Sequence, residues 1–464
     1  MRWEKVAQIE GQRQYLCYPT LYQSQLIPDH VFEKLHSRWA SNYIDLPEVT
    51  FHIARDVFVL AEGLVFFADG TLIEQTRTTH TDTDIERARI MLAGALQKAS
   101  HISSHRRAIL CKKRGVGNYG HWLVEMLPKA FWAVRRAQAA DWPVVVNRGS
   151  PVMRSVMIQS LAAIEIGPER IIEADDKPMH FEELLIVSGL TIHTTFLSPL
   201  VMQCMDFSSA KAQNIDRPNL YPVRYPAKTR DFEDTVTAAK ILEEAGYAPV
   251  ECANMPFLDQ VSAFKSAKRI AGPMGAALTN IVFCQPGTEI LVFMPATAME
   301  LFFWLIAQAR KLDYYEIRCE ETGPQLGALP WDRSLRISPT AMKGLIWLVG
   351  TTKDIAGPPL SSMDTKNIDR DRVITSKWRL TFNKQPNITH TIKFNADGTI
   401  DGYKHQNETF WKLSNGNIEM YTSKGHHSWS FTVTKVIDGK FKLRSRCLLP
   451  GLASNFSHLY ETIS

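Results

Sequence analysis

Two short stretches of this 464-residue chain carry residue types that could do chemistry. In Asn118-Tyr119-Gly120-His121-Trp122-Leu123-Val124-Glu125, an imidazole and a carboxylate stand four residues apart. If Asn118 caps a helix that begins near Gly120, His121 and Glu125 share one face of its first turns. Paired that way, one group could accept a proton from a hydroxyl while the other orients it. A helix-start pair that only satisfies hydrogen bonds has the same spacing, so spacing alone leaves both readings open. The second stretch is Ala271-Gly272-Pro273-Met274-Gly275-Ala276-Ala277-Leu278-Thr279-Asn280. Its glycines and alanines remove side-chain bulk where a backbone could meet a ligand. A helix opening at Gly275 would turn free N–H groups, and the positive end of its dipole, toward an anion such as a diphosphate. Turns of this composition also serve plain packing between strand and helix.

The elements around these stretches read as α/β. Residues 1–50 form a mixed lead-in, and residues 56–73 a short β meander. Strand patterns at Ala108–Cys111, Pro143–Val146, Arg170–Ile172 and Glu183–Val187 alternate with helical ones, which predicts a parallel sheet. A second unit starts near 218 with the strand pattern Leu220–Arg224, where Pro222 argues for an edge or irregular position. It continues through Tyr247–Cys252 and Arg269–Ala271 to Glu289–Pro295, in a Rossmann-like alternation. From Trp378 the pattern becomes short alternating strands with turns at Asp397-Gly398, Asn415-Gly416 and Asp438-Gly439. The expected division is an N-terminal half over 1–205, a C-terminal half over 206–349, a linker over 350–376 and an antiparallel β domain over 377–464. The aromatic residues of that last domain read as core more readily than as a sugar-binding surface. Asp82-x-Asp84 could hold a metal and a diphosphate, but it stands where Asp and Thr cap a helix, and capping is the expected role. Asp369-x-Asp371, in the linker, is a weaker signal of the same kind.

Bulk properties narrow the partners. A net charge of +5 suits an anionic ligand, yet no dense Lys/Arg block marks a nucleic-acid arm. The 7 cysteines are scattered, with no Cys-x-x-Cys pair, which predicts free thiols and no zinc site. No apolar run approaches the length of a membrane span, and Met1-Arg2-Trp3-Glu4-Lys5 does not open a signal peptide. These features point to a cytoplasmic protein. A nicotinamide-type oxidoreductase fits poorly, because no G-x-G-x-x-G follows a strand.

In this order, the two stretches resemble glycosyltransferase family 61. Asn118 to Trp122, running on to Leu127-Pro128, is similar to the family's Asn/Gly-His-Trp helix. Gly272 to Asn280 is similar to its Gly-x-His-Gly-Ala-x-Leu-Thr-Asn turn. Arg224 and Arg230 match the arginine pair between them, and Asp259-Gln260 a step before the turn. The resemblance implies an α/β fold of GT-B type, two Rossmann-like halves facing across a cleft, with the small β domain outside it. It implies an inverting transfer of a sugar from a nucleotide-sugar to a glycan or glycolipid, with no cofactor and no required metal. His121 or Glu125 would be the base. Arg224, Arg230, Gly275, Ala276, Ala277, Thr279 and Asn280 would hold the donor, and Asn118 and Trp122 would line the acceptor side. A bacterial surface polysaccharide is the expected product, made in the cytoplasm or at the inner face of the membrane. The chain departs from the pattern at Met274, where many members have His, at Val292, near a Glu position, and at Glu125, often Asp. Met274 and Val292 support the rival expectation of a non-catalytic glycan- or nucleotide-binding protein.

Overall fold

A computed structural model describes residues 2–39, 41, 43–98, 102–175, 177–215, 219–223, 229–354, 368–382, 385–414, 417–437, 440–448 and 456–462. Arg224, residues 355–367 of the expected linker and the turns at Asn415-Gly416 and Asp438-Gly439 lie outside the described residues.

The lead-in contributes β1 (Trp3–Ile9), β2 (Thr20–Tyr22) and α1 (Asp29–Trp39). The first half follows with β3 (Val49–Leu60), β4 (Leu64–Phe67), α2 (Asp82–Leu96) and β5 (Ser103–Cys111). Next comes a helix we call α3, built of Tyr119–His121, a π turn over Trp122–Met126 and Leu127–Val134. Then come β6 (Val144–Asn147), α4 (Pro151–Ala163), β7 (Ile171–Ala174), β8 (Met179–Ser188) and α5 (Leu200–Ser208). Their sheet runs β1-β3-β8-β5-β6-β7, with β4 also on β3. The four strands β8, β5, β6 and β7 are parallel, and β3 and β1 extend them antiparallel. Local chemistry sets the helix starts. Thr81 and Asp84 form a reciprocal capping box on α2, and Ser150 caps α4 ahead of Pro151. Asp84 also pairs with Arg114 at 2.8 Å, and Asp82 with Arg77 at 2.6 Å. The Asp-x-Asp stretch is therefore a helix cap. Asp369 likewise caps the helix Arg370–Thr375.

The second half comprises β9 (Asn219–Pro222), α6 (Thr235–Glu244), β10 (Ala248–Val250), α7 (Phe257–Ser266), β11 (Arg269–Pro273), a 3-10 helix over Ala276–Phe283, β12 (Glu289–Pro295), α8 (Phe302–Arg310), β13 (Asp313–Thr322) and β14 (Ser334–Arg336). The sheet order is β10-β9-β11-β12-β13-β14. Strands β10 through β13 are parallel, and β14 is antiparallel. Pro222 does not mark an edge strand: β9 lies between β10 and β11. The proline ends the strand past its last pairing with β11, at Leu220, so its missing N–H is not needed there. Its ring instead presses on Gly272, where an added Cβ would stand 3.1 Å from Pro222 Cδ. That contact is one packing reason for a glycine in the turn.

Each half has an apolar cluster of its own, and the largest cluster is shared between them. Trp122, Leu123, Leu127 and Met157 of the first half belong to the same buried apolar cluster as Leu278, Ile281, Phe283 and Trp304 of the second. The lead-in fastens them further. While β1 extends the first sheet, β2 joins the second as a parallel neighbour of β13. Trp304 Nε1 donates to the Cys17 carbonyl at 2.9 Å.

After the linker, strands from Lys377–Phe382 to Phe456–Thr462 form an eight-stranded antiparallel sheet. A Thr399–Phe410 bridge brings its two ends together, so the sheet is nearly a barrel. Trp378, Trp411 and Trp429 are buried inside it with Phe394, Ile418 and Phe431, as core residues.

Within β13, Glu316 and Arg318 form an ion pair with no solvent exposure. Tyr314 OH donates to Glu316 at 2.9 Å, while Arg318 Nη1 donates to the Pro295 and Ala298 carbonyls at 3.1 and 2.7 Å. Arg318→Met would leave Glu316 buried and short of its countercharge. The expected cost is about 3–5 kcal/mol, read as a lower urea midpoint. The double variant Glu316→Gln/Arg318→Met should recover much of that loss, since no buried charge is then stranded.

Candidate active site

Sequence places His121 and Glu125 at the head of α3, and the structure shows how they are held there. The Asn118 side chain accepts from Gly120 N at 2.9 Å, the expected cap. Further along, Pro128 lacks the N–H that would bond back to Val124, and its ring crowds that carbonyl. The helix widens into the π turn over Trp122–Met126 just ahead of it. His121 Nδ1 nevertheless reaches Glu125 Oε1, and Lys113 Nζ binds Glu125 Oε2. Gly115, at φ +79°, carries the incoming loop past the imidazole edge, where a Cβ would stand 3.4 Å from His121 Cδ2.

Glu125 is buried, and burial alone would raise its carboxyl. Hydrogen bonding to His121 and His193 and the charge of Lys113 outweigh that, holding it well below the usual carboxylate range. It is therefore an ionised acceptor. The ordered reading of the pair follows: the carboxylate orients, and the half-buried His121 is the group left with a free ring nitrogen, Nε2, to exchange a proton.

Three members of this cluster escaped the sequence reading. Lys113 is one. His193 sits in the hairpin between Thr191–Ile192 and Phe196–Leu197, with Nδ1 3.5 Å from Glu125 Oε1 and Nε2 3.5 Å from Glu300 Oε2. Its ring centroid is 4.6 Å from that of His121 and 5.0 Å from that of Phe302. Burial would lower the His193 imidazolium, but the two carboxylates push it up to about 9. Glu300 precedes α8 and accepts from Phe302 N at 2.7 Å. Only Glu300 left a trace in the sequence, as a lone acid at the head of the apolar run Leu301–Ala307. His121, Glu125 and His193 each offer a ligating atom, all within 4.8 Å of one another, a grouping close enough to hold a metal ion. Both Glu125 oxygens are already engaged, so an ion there would have to displace Lys113 or His121.

The Gly/Ala turn abuts this helix head. Gly275 is extended at φ −177°, and the 3-10 helix begins at Ala276. A Cβ on Gly120 would meet Thr279 Oγ1 at 2.8 Å, so the two stretches touch backbone to side chain. Tyr119 OH donates to Asn280 Oδ1 at 2.5 Å, and Asn280 Nδ2 donates to Gln260 Oε1 at 3.0 Å. Beside this seam lies a cavity of about 630 Å³. Its walls are α4 from Pro151 to Gln159, the Cys252–Phe257 segment, Val223, Tyr119, Ala276 and Ala277. Val223, Cys252 and Ala276 all follow the carboxyl ends of parallel strands, where open α/β sheets bind ligands.

Several expected site residues fall elsewhere. Trp122 does not line a cleft: it is fully buried, and its Nε1 donates to Ser160 Oγ at 2.9 Å. The side chains of Asn280 and Thr279 are buried in the seam and do not face the cavity. Ala276 is exposed and Ala277 half-buried, both on the cavity wall, with Gly275 buried behind them. Arg230, at φ +55°, pairs with Asp332 at 3.3 Å and joins the β14 side of the sheet. Arg224 lies outside the described residues. Met274 is buried in the core, and Val292 is buried opposite Glu316 in the β12–β13 register.

Tyr119, Ala276 and Ala277 of the seam line this cavity, whereas His121, Glu125, His193 and Glu300 are not on its wall. Residues 119–291, from the head of α3 into β12, match the sequence model of the family Glycosyltransferase 61. That stretch is of glycosyltransferase family 61 type, and glycosyl transfer is the class of activity it indicates. No curated protein matches it.

The Gly120–Thr279 contact tests whether the seam is as tight as described. Gly120→Ala should destabilise the protein by about 1–3 kcal/mol through overpacking. Thr279→Ala removes the atom in the way and should restore most of the loss. A double-mutant cycle on urea midpoints measures this coupling; additive effects would show that the two stretches do not touch.

Proposed function

We propose that the protein is an inverting, metal-independent transferase of GT-B organisation. It would move a sugar from a nucleotide-sugar donor to a glycan acceptor in the synthesis of a bacterial surface polysaccharide, working from the cytoplasm or the inner membrane face. One observation carries the reading. The His121–Glu125 pair and the Gly/Ala turn, far apart in sequence, meet at one seam, with the cavity opening beside it.

The chemistry this supports needs one in-line attack. The acceptor hydroxyl oxygen bonds to the anomeric carbon as the bond from that carbon to the diphosphate oxygen breaks. The hydroxyl proton passes to His121 Nε2, and the electron pair leaves with the diphosphate. Glu125 keeps the His121 Nδ1 proton directed at itself and stabilises the imidazolium that forms. Backbone N–H groups at Gly275 to Ala277, aided by Arg224, would meet the growing negative charge on the leaving group. The largely apolar cavity, with Gln159 and Gln260 on its wall, suits the base and ribose of the donor. Asn118 would stay on the acceptor side. Among the described residues no helix is long and apolar enough to cross a membrane, so contact with a lipid-linked acceptor would be peripheral.

A binding-only reading draws on Met274, since a buried thioether brings no polar group to the turn. Assay of a nucleotide-sugar panel, with and without Mg²⁺ and with EDTA, separates the two. The proposal expects donor turnover that survives EDTA, and a fall of 10²–10⁴-fold in His121→Ala. Glycan binding without donor binding would replace it with the rival. If the cavity holds the nucleoside, Ala277→Leu should raise the donor KM at least about tenfold, the effect of about 1.4 kcal/mol of lost binding, with kcat little changed. An unchanged KM would move the donor elsewhere.

A further inference from the structure

We infer that His193 is a positioning residue that takes up the positive charge of the cluster, so that His121 stays neutral and keeps Nε2 free to accept a proton. This rests on the reading of His121 as the base.

The geometry leads there directly. Glu125 is ionised, with Lys113 on one oxygen and His121 and His193 on the other. An ionised carboxylate only accepts, so the nitrogen His121 presents to it, Nδ1, must carry hydrogen. His193 has a carboxylate at both ring nitrogens, Glu125 at Nδ1 and Glu300 at Nε2, each at 3.5 Å. A ring that faces a carboxylate with each nitrogen is served best as imidazolium, with both nitrogens donating. The two rings lie 4.6 Å apart between centroids, in a largely buried setting, so a second positive charge on His121 would be repelled. One proton is therefore shared unequally. His193, with two carboxylates, holds it; His121, with one that Lys113 already neutralises, does not.

The other charged groups around the cluster agree. Lys113 faces Glu125 from the loop after β5, and Lys129, one turn on in α3, is half-buried near both. Each adds positive potential that disfavours a charged His121. Glu300 adds negative potential at the far side of His193, where it favours that ring over its neighbour. Glu300 is itself set by the 295–298 loop, whose carbonyls bind the buried Arg318. His193 thus joins a carboxylate of the first half to one of the second, so closure of the seam completes the charge pattern.

The experiment compares the wild-type protein with His193→Gln and Glu300→Gln, using side-chain NMR titration of His121 and His193 together with the pH profile of kcat/KM. In the wild type, His193 should lose its proton near pH 9. In His193→Gln, His121 loses its cationic neighbour and should titrate about one pKa unit higher, moving the acidic limb of the profile up by the same amount, a roughly tenfold loss at a pH on that limb. In Glu300→Gln, His193 should titrate lower. A purely structural role would change stability but leave the His121 titration in place. An unmoved His121 titration in His193→Gln, with the fold intact by circular dichroism, overturns the inference. The NMR arm decides this even if no donor supports turnover, which would count against the proposed function alone.

Discussion

A carboxylate removed from water needs compensation, and Glu125 is the point where this protein supplies it. An unpaired charge at that depth would not stay ionised. Three cations or potential cations surround it, brought by three separate parts of the chain: Lys113 from the loop after β5, His121 from its own helix, and His193 from a hairpin after β8. Because His193 also contacts Glu300, the arrangement closes only when the second half is in place. The cluster therefore depends on the whole α/β body and not on α3 alone.

That dependence explains why the halves share a core. A cleft between freely moving domains would expose the Glu125 cluster to water at each opening. Here the apolar seam between α3, α4, α7, the 3-10 helix and α8 is continuous. The lead-in adds a strand to each sheet, and Tyr119 and Asn280 pin the seam with a short hydrogen bond. The cavity lies at its margin. The near-barrel at the C-terminus is filled by its own tryptophans and rests near α1, where His36 and His427 lie 6.1 Å apart. Its place is beside the lead-in, away from the helix head.

The sequence revealed what local chemistry writes. Asn118 as a cap, the His121–Glu125 spacing, the Thr81/Asp84 cap and the alternation of strands and helices each follow from contacts within a few residues. The Gly/Ala turn was visible, though part of its composition answers to Pro222 and Thr279 pressing on Gly272 and on the helix head. What stayed hidden required tertiary placement. His193 lies in a hairpin with no periodic signal, and Lys113 looked like one of three basic residues in a loop. Trp122, set on the acceptor side only by the family resemblance, is held in the core, where its indole N–H finds Ser160. Pro222 misled because the edge-strand rule concerns the missing N–H, and at a strand's end nothing asks for it.

Met274 and Val292 weigh less against catalysis than they did as letters in a row. Both are buried among apolar neighbours, so the changes sit in the core beneath the turn and not on the cavity wall. The groups that a binding-only protein would be free to lose are instead retained and mutually paired: a buried ionised carboxylate, an imidazole oriented by it, and a second imidazole between two acids. Such a cluster is costly to keep dry, and replacing it with apolar residues of similar size would often stabilise a protein. A fold under no demand beyond holding a ligand has little reason to retain it. The polar investment lies at the helix head, where the two halves meet, and that placement favours chemistry over binding alone.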